Sequence, residues 1–276
     1  MTLASTFSPT SPLVLVGAGK MGGALLKGWL DRGLDAKAVV VIDPAPPADS
    51  AAYLKSVGLK TVAAAPAGVT AKLIVLAVKP QIIADVMPPL QPLIGRDTVA
   101  LSIAAGATLK KLKAGLGDIA IVRSIPNTPA QVGRGITVAI ANDKVAKADR
   151  ALVTDLLAAV GDVIWVEKEG MIDSATAVSG SGPAYVFHMV EALTAAAVAV
   201  GFDKASAERI ARGTVAGGGA LLDQSDLPAE ILRQNVTSPN GTTAAALKVL
   251  MGKGGLIPLM KKAVAAARKR SRELRG

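Results

Sequence analysis

Glycines at 17, 19 and 22 stand in the spacing G-x-G-x-x-G, directly after four apolar residues, Leu13 to Val16, and before an amphipathic run. A strand, tight turn and helix start of this kind can hold a dinucleotide. The first glycine allows the turn, the second lets backbone approach a pyrophosphate, and the third lets the helix pack closely on the strand. The helix start then offers unpaired N–H groups and its positive dipole end to the phosphates. The whole turn, Gly17-Ala18-Gly19-Lys20-Met21-Gly22, is a candidate coenzyme-binding stretch. A second apolar run, Ala38 to Ile42, ends in Asp43, close to where, about 20 residues on, an acidic side chain accepts from the ribose. A purely structural glycine loop has the same spacing; the preceding strand and Asp43 favour the dinucleotide.

Three more stretches fall at strand ends, where ligands bind in open α/β sheets. These are Ala77-Val78-Lys79-Pro80, Ser102-Ile103-Ala104-Ala105-Gly106 and Ser124-Ile125-Pro126-Asn127-Thr128-Pro129. Small residues such as Ala104 and Ala105 let a flat coenzyme lie against backbone, Lys79 can reach a ribose or phosphate, and Asn127 offers an amide to a carboxamide. Each stretch is also compatible with an ordinary turn. A further candidate is Thr237-Ser238-Pro239-Asn240-Gly241-Thr242-Thr243, followed by the helical pattern AAALKVLMG. Turn residues entering a helix leave N–H groups free, a seat for a carboxylate, but Ser and Thr also cap helices for stability alone.

The elements that must position these residues fall into two halves. Short apolar runs (Leu13–Val16, Ala38–Ile42, Leu73–Ala77, Thr98–Ser102, Ala120–Val122, Thr137–Ile140 and Val163–Val166) alternate with helical stretches near 20–31, 49–57, 81–91, 108–114 and 144–160. That is the pattern of a doubly wound α/β sheet. After Gly170 the chain becomes alanine-rich helix. Ala184 to Val200 is apolar nearly all round except for Tyr185, His188 and Glu191, so it must be buried on most sides, with His188 packed or hydrogen-bonded. Arg209 to Leu222 carries Gly213 and the run Gly217-Gly218-Gly219, which costs roughly 1 kcal/mol per glycine over alanine and implies close backbone packing in the bundle or across subunits. So much apolar helix surface predicts a dimer. The expected division is 1–167, dinucleotide-binding, and 168–276, helical.

Composition narrows the chemistry. In 276 residues there is no cysteine and one histidine, which excludes disulfides and thiol nucleophiles and argues against a zinc site or any metal. The net charge of +10 is concentrated at the end: seven basic residues from Lys261 to Arg275 face only Glu273. With no interleaved aromatics, this predicts a solvated helix face complementing the C-terminal dipole, and no nucleic acid partner. The apolar runs fall short of the roughly 20 residues a membrane span needs. The first twelve residues, MTLASTFSPTSP, lack a signal pattern and read as a disordered lead. A soluble cytoplasmic protein is expected.

Taken in order, VGAGKMG, LAVKPQ, SIAAG, RSIPNTPAQVGRG, VSGSGPAYVF and TSPNGTTAAAL resemble pyrroline-5-carboxylate reductase over nearly the whole chain after residue 12. The resemblance implies a Rossmann domain followed by an all-α dimerisation domain that interlocks with its partner, often with further assembly of dimers. It implies hydride transfer from NADH or NADPH to the cyclic imine of 1-pyrroline-5-carboxylate, giving L-proline. On the matching positions Thr243 hydrogen-bonds the ring nitrogen, and backbone around Ser238, Gly241, Thr242 and Thr243 holds the carboxylate, with Asn240 in the same turn. A protonated imine is already electrophilic, so positioning and charge complementarity suffice; a chain with one histidine and no cysteine fits this better than carbonyl reduction. A hydroxyacid dehydrogenase or other imine reductase of related architecture would share the first half, and a nucleotide-sensing protein without turnover would share the glycine turn. The family usually has glycine where Asn240 stands, a position asparagine tolerates. Members favouring NADPH carry basic or small polar residues after the second strand, where this chain has Asp43-Pro44-Ala45-Pro46-Pro47; a carboxylate there leans toward NADH.

Overall fold

The computed structural model describes residues 6–275. By packing, the chain forms two units: one up to residue 180 that also takes in the chain from 268 on, and one of 181–267. The first unit thus includes 168–180 and the chain end, which composition alone groups with the helical half.

In the first unit the strands are β1 (Leu13–Val16), β2 (Val39–Ile42), β3 (Thr61–Val62), β4 (Leu73–Leu76), β5 (Val99–Ser102), β6 (Ala120–Ile125), β7 (Gly135–Ala141) and β8 (Gly161–Trp165). They lie side by side in the order β3-β2-β1-β4-β5-β6-β7-β8, parallel except for the antiparallel β6–β7 pair. The helices are α1 (Lys20–Asp31), α2 (Ala48–Ser56), α3 (Ile83–Val86), α4 (Leu109–Leu116), α5 (Lys147–Leu157) and α6 (Gly170–Ala175). Successive side chains point to opposite faces of a strand, so each strand feeds two cores. Leu13, Leu15, Val41, Val75 and Leu101 pack with Trp29 on one face, and Val14, Val16, Ile74, Leu76 and Ala100 on the other. Trp29 is fully buried and its indole N–H donates to the Leu156 carbonyl at 2.8 Å, fixing α1 to α5.

Three features of this unit differ from the sequence expectations. Part of the expected disordered lead is ordered: Phe7 is buried in the core, Ser8 and Ser11 bridge, and the Pro12 carbonyl accepts from Lys72 N–H. A buried aromatic ring outweighs the polar composition around it; residues 1–5 of that lead lie outside the described ones. The helix expected near 81–91 is broken into a 3₁₀ turn Pro80–Ile82, the single turn α3, and a second 3₁₀ stretch Pro88–Leu93, because Pro88, Pro89 and Pro92 lack the N–H groups an α-helix needs. Strand β3 was not expected; two residues are too short for any periodicity.

The second unit consists of α7 (Gly182–Ala199), α8 (Lys204–Asp223), α9 (Ala229–Asn235), α10 (Thr242–Leu250) and the larger part of α11 (Leu256–Glu273). Helices α7 and α8 lie against each other. The expected burial of Ala184 to Val200 is not found within one chain: no residue of α7 is buried, because its packing within the unit is chiefly against α8 alone. Its buried hydrophobic residues are only Ala207 and Ala211, while Phe187 and Leu221 are about two-thirds exposed. His188 is likewise exposed, hydrogen-bonded through Nδ1 to Glu191 at 2.8 Å. Among the described residues no helix is long and apolar enough to cross a membrane.

Candidate active site

The glycine turn is held by β1, β2 and β4. Gly17 N–H donates to the Ile42 carbonyl (2.9 Å) and Ala77 N–H to the Val16 carbonyl (2.8 Å), continuing the parallel ladder past the strand ends. Gly17 has φ +93°, and a Cβ there would lie 2.7 Å from the Ala77 carbonyl oxygen. A Cβ on Gly22 would lie 2.2 Å from the Gly17 oxygen, whereas one on Gly19 would meet nothing within 4 Å. The first and third glycines are therefore required by the turn itself. The second is required only by whatever approaches from outside, which is the cradle a pyrophosphate needs. Gly19 is the N-cap of α1 and supplies no side-chain cap, leaving first-turn N–H groups, those of Lys20 and Met21 among them, for a ligand. A nicotinamide dinucleotide thus fits the residues present.

Asp43 sits at the end of β2 and reaches back to the turn. Its Oδ2 accepts from Ala18 N–H at 2.7 Å and its Oδ1 from Ala45 N–H at 3.0 Å. Each carboxylate oxygen keeps a second lone pair for a ribose hydroxyl. A cavity of about 800 Å³ opens beside it, lined by Gly17, Gly19, Asp43, Ala77, Val78 and the exposed Lys79, and also by Ala63, Ala64, Ala65 and Asp85. The last four escaped the sequence reading: the three alanines follow the two-residue β3, and Asp85 sits on the proline-broken α3. Pro80 starts the 3₁₀ turn at the rim, outside the lining.

At the end of β5, Ala104 is buried and Ala105 exposed, with Ala104 N–H donating to Ser102 Oγ at 3.3 Å; neither lines the 800 Å³ cavity. Asn127, expected to offer its amide to a carboxamide, uses that amide internally. Its Oδ1 accepts from Ile136 N–H (2.9 Å) and its Nδ2 donates to the Ser179 carbonyl (3.2 Å), the latter in the π-helical turn Thr176–Gly180. The helical partner of the Ser179 carbonyl would be the N–H of residue 183, which is Pro183 and has none, and Asn127 satisfies that carbonyl instead.

In the second unit, the turn before α10 is closed by Gly241 N–H to the Ser238 carbonyl at 3.1 Å. Asn240 has φ +60°, the one left-handed non-glycine among the described residues, a conformation asparagine tolerates better than most residues. A Cβ on Gly241 would lie 2.3 Å from Ser238 Oγ. The two sequence readings of this stretch are separated here. Gly241 is the N-cap and no side chain caps the helix, so the N–H groups of Thr242 and Thr243 are left open. The half-buried Thr243 hydroxyl bonds no described residue.

A buried charge cluster went unseen in the sequence because its members lie far apart. Glu169 Oε1 accepts from Arg123 Nη1 (2.6 Å) and from Leu109 N–H (2.9 Å). Asp173, 1% exposed, pairs with Arg275 and accepts from Ser271. The basic chain end, expected to be a solvated face, is thus partly anchored: a buried carboxylate demands a counter-charge.

Residues 169–274 match the family described as pyrroline-5-carboxylate reductase dimerisation, and residues 12–106 that described as NADP oxidoreductase coenzyme F420-dependent. Pyrroline-5-carboxylate reductase of Pisum sativum is 35% identical, covering 99% of this chain and 100% of its own. That of Pseudomonas aeruginosa is 37% identical, covering 96% and 97%. Among solved structures, a pyrroline-5-carboxylate reductase from Coxiella burnetii superposes with a TM-score of 0.88 at 36% identity, covering 96% of this chain and 98% of that one. Plasmodium falciparum pyrroline carboxylate reductase with NADP bound gives 0.77 at 28%, covering 98% and 100%.

Proposed function

Because this chain belongs to the pyrroline-5-carboxylate reductase family, we propose that it reduces 1-pyrroline-5-carboxylate to L-proline with a reduced nicotinamide coenzyme. The observation that carries this reading is the pairing, in one chain, of a dinucleotide turn with an uncapped helix start bearing Thr243. The bound coenzyme supplies a hydride. Gly17 to Gly22 hold the pyrophosphate, Asp43 the adenosine ribose, and Ala77 to Pro80 with Ala104 and Ala105 flank the coenzyme, while Asn127 fixes the neighbouring turn by its internal bonds. The open N–H groups of α10 take the substrate carboxylate, with Ser238, Asn240 and Gly241 shaping the turn. The Thr243 hydroxyl bonds the ring nitrogen, orienting the imine carbon and holding the ring proton as the nitrogen passes from iminium to amine. With no cysteine and a single, exposed histidine in the chain, positioning and electrostatics carry the catalysis.

Coenzyme choice leans to NADH. The Asp43 carboxylate repels a 2′-phosphate, and no arginine or lysine follows until Lys55 to offset it. The working assembly is a homodimer formed through the helical unit. Loss of NADH or NADPH absorbance with synthetic pyrroline carboxylate, and recovery of L-proline, tests the activity; no turnover with either coenzyme overturns it.

A further inference from the structure

The end of the chain lies on the loop that follows β5. A Cβ on Gly106, itself at φ +75°, would lie 3.2 Å from the Leu274 carbonyl oxygen, so tail backbone covers the end of the Ser102–Gly106 loop directly. Lys111, in the first turn of α4, donates through Nζ to the Arg275 carbonyl. The tail is clamped by one buried carboxylate: Asp173 Oδ1 accepts from Arg275 Nε at 2.7 Å and from Ser271 Oγ at 3.1 Å, and Oδ2 pairs with Arg275 Nη2. On the neighbouring turn Glu169 ties the Leu109 N–H, at the far end of the same loop, to Arg123 on β6. Burial, followed by the nearby Arg123 guanidinium, pulls the Arg275 pKa below its ordinary value, which places the two ion pairs in one cluster. Removing one partner of such a cluster leaves an uncompensated buried charge, so the chain end is held firmly.

We propose that Ser271–Arg275 is a strap that positions the Ser102–Gly106 loop for the coenzyme, with Arg275 and Asp173 as positioning residues. This rests on the reading that Ala104 and Ala105 flank the coenzyme. The loop is short and its Gly106 end is covered by the tail, so the placement of the exposed Ala105 follows from where Leu274 and Arg275 lie.

The test compares full-length Arg275→Ala, Arg275→Lys and Ala105→Trp with wild type, reading coenzyme Kd by nicotinamide fluorescence, the KM values for coenzyme and imine, and Tm. Arg275→Ala is expected to raise coenzyme Kd and KM roughly ten-fold with the imine KM unchanged, and Arg275→Lys to recover part of the loss. A lower Tm with unchanged coenzyme Kd overturns the strap and leaves a merely structural ion pair. Ala105→Trp separates the two readings. If it leaves coenzyme Kd unchanged, the loop does not meet the coenzyme and the strap falls with that reading; if it weakens binding while Arg275→Ala does not, the strap alone fails. Should Arg275→Ala fail to fold, Asp173→Asn combined with Arg275→Gln removes the buried charge and is read in the same way.

Discussion

The two units solve the burial problem differently. The first encloses Trp29, Leu13, Leu15 and Leu101 completely on one face of its own sheet, and Ile74, Leu76 and Leu93 on the other. The second buries only two alanines and leaves Phe187, Val200, Leu221 and Val249 well exposed. Fully burying a large apolar side chain stabilises by about 1.5–3 kcal/mol, so the first unit has the core of an independent fold. The second lacks one within the chain, and on the proposed reading it acquires one against another copy. On the proposed reading, the glycine turn is stabilised by the chain's own core, and the turn before α10 depends on the assembly.

The largest expected effect breaks this contrast directly. Phe187→Glu together with Leu221→Glu should convert a dimer into a monomer by light scattering and abolish amide-exchange protection across 182–250, while amides of β1 and β4 stay protected. A wild-type protein that is a folded monomer at micromolar concentration removes the idea.

Next, Thr243→Ala should lower kcat/KM by roughly ten- to several-hundred-fold, the loss expected for a hydrogen bond accepted from a charged group. Coenzyme dissociation should barely change, because the glycine turn and the cavity beside Asp43 belong to the other unit. Thr243→Ser should keep most of the activity. Wild-type kcat/KM in a folded, dimeric Thr243→Ala would leave the work to the backbone N–H groups of α10.

Glycines sharpen the comparison. A methyl on Gly22 meets backbone at 2.2 Å, so Gly22→Ala should cost about 1–3 kcal/mol of stability and weaken coenzyme binding. A methyl on Gly218 meets nothing within 4 Å in the chain and in an isolated helix would gain about 1 kcal/mol. If the exposed face is covered by a second copy, Gly218→Ala should instead weaken the dimer, measured by its dissociation constant; a tighter dimer argues that this part of α8 faces solvent.

A smaller change is expected at Asp43. Its replacement by Ser should narrow the NADH preference in kcat/KM by several-fold, at some cost to the order of the turn, since Ala18 and Ala45 N–H both rely on the carboxylate. NADPH used as well as NADH by wild type, with no change in Asp43→Ser, contradicts the assignment.

The smallest effect is electrostatic and independent of assembly. Hydrogen bonds from Lys113 and then Lys144 hold the exposed Asp118 carboxyl down at about 2, below its ordinary 3.8. Because the folded value is the lower one, its stabilising contribution is complete above the ordinary value and is lost as pH falls through about 2. Carboxyl ¹³C titration should give that midpoint at any protein concentration, whereas protection of the second unit is expected to depend on it.

Much of this was legible in the residues. The strand at Leu13–Val16, the turn at Gly17–Gly22 and the helix at 20–31 were readable because apolar period, glycine spacing and helix start coincide within twenty residues, and local sequence dictates local backbone. TSPNGTT marked a helix start for the same reason, and the resemblance, with glycine where Asn240 stands, pointed to the left-handed backbone found there. Only the tertiary structure decided that Ser and Thr leave α10 uncapped, that Asn127 turns its amide inward, that prolines break the stretch after Lys79, and that Arg275 returns to Asp173. Those outcomes depend on hydrogen-bond geometry or on partners up to a hundred residues apart in the chain, where no periodicity runs. Burial of α7 lies further still, since no residue of α7 is buried within the chain's own fold.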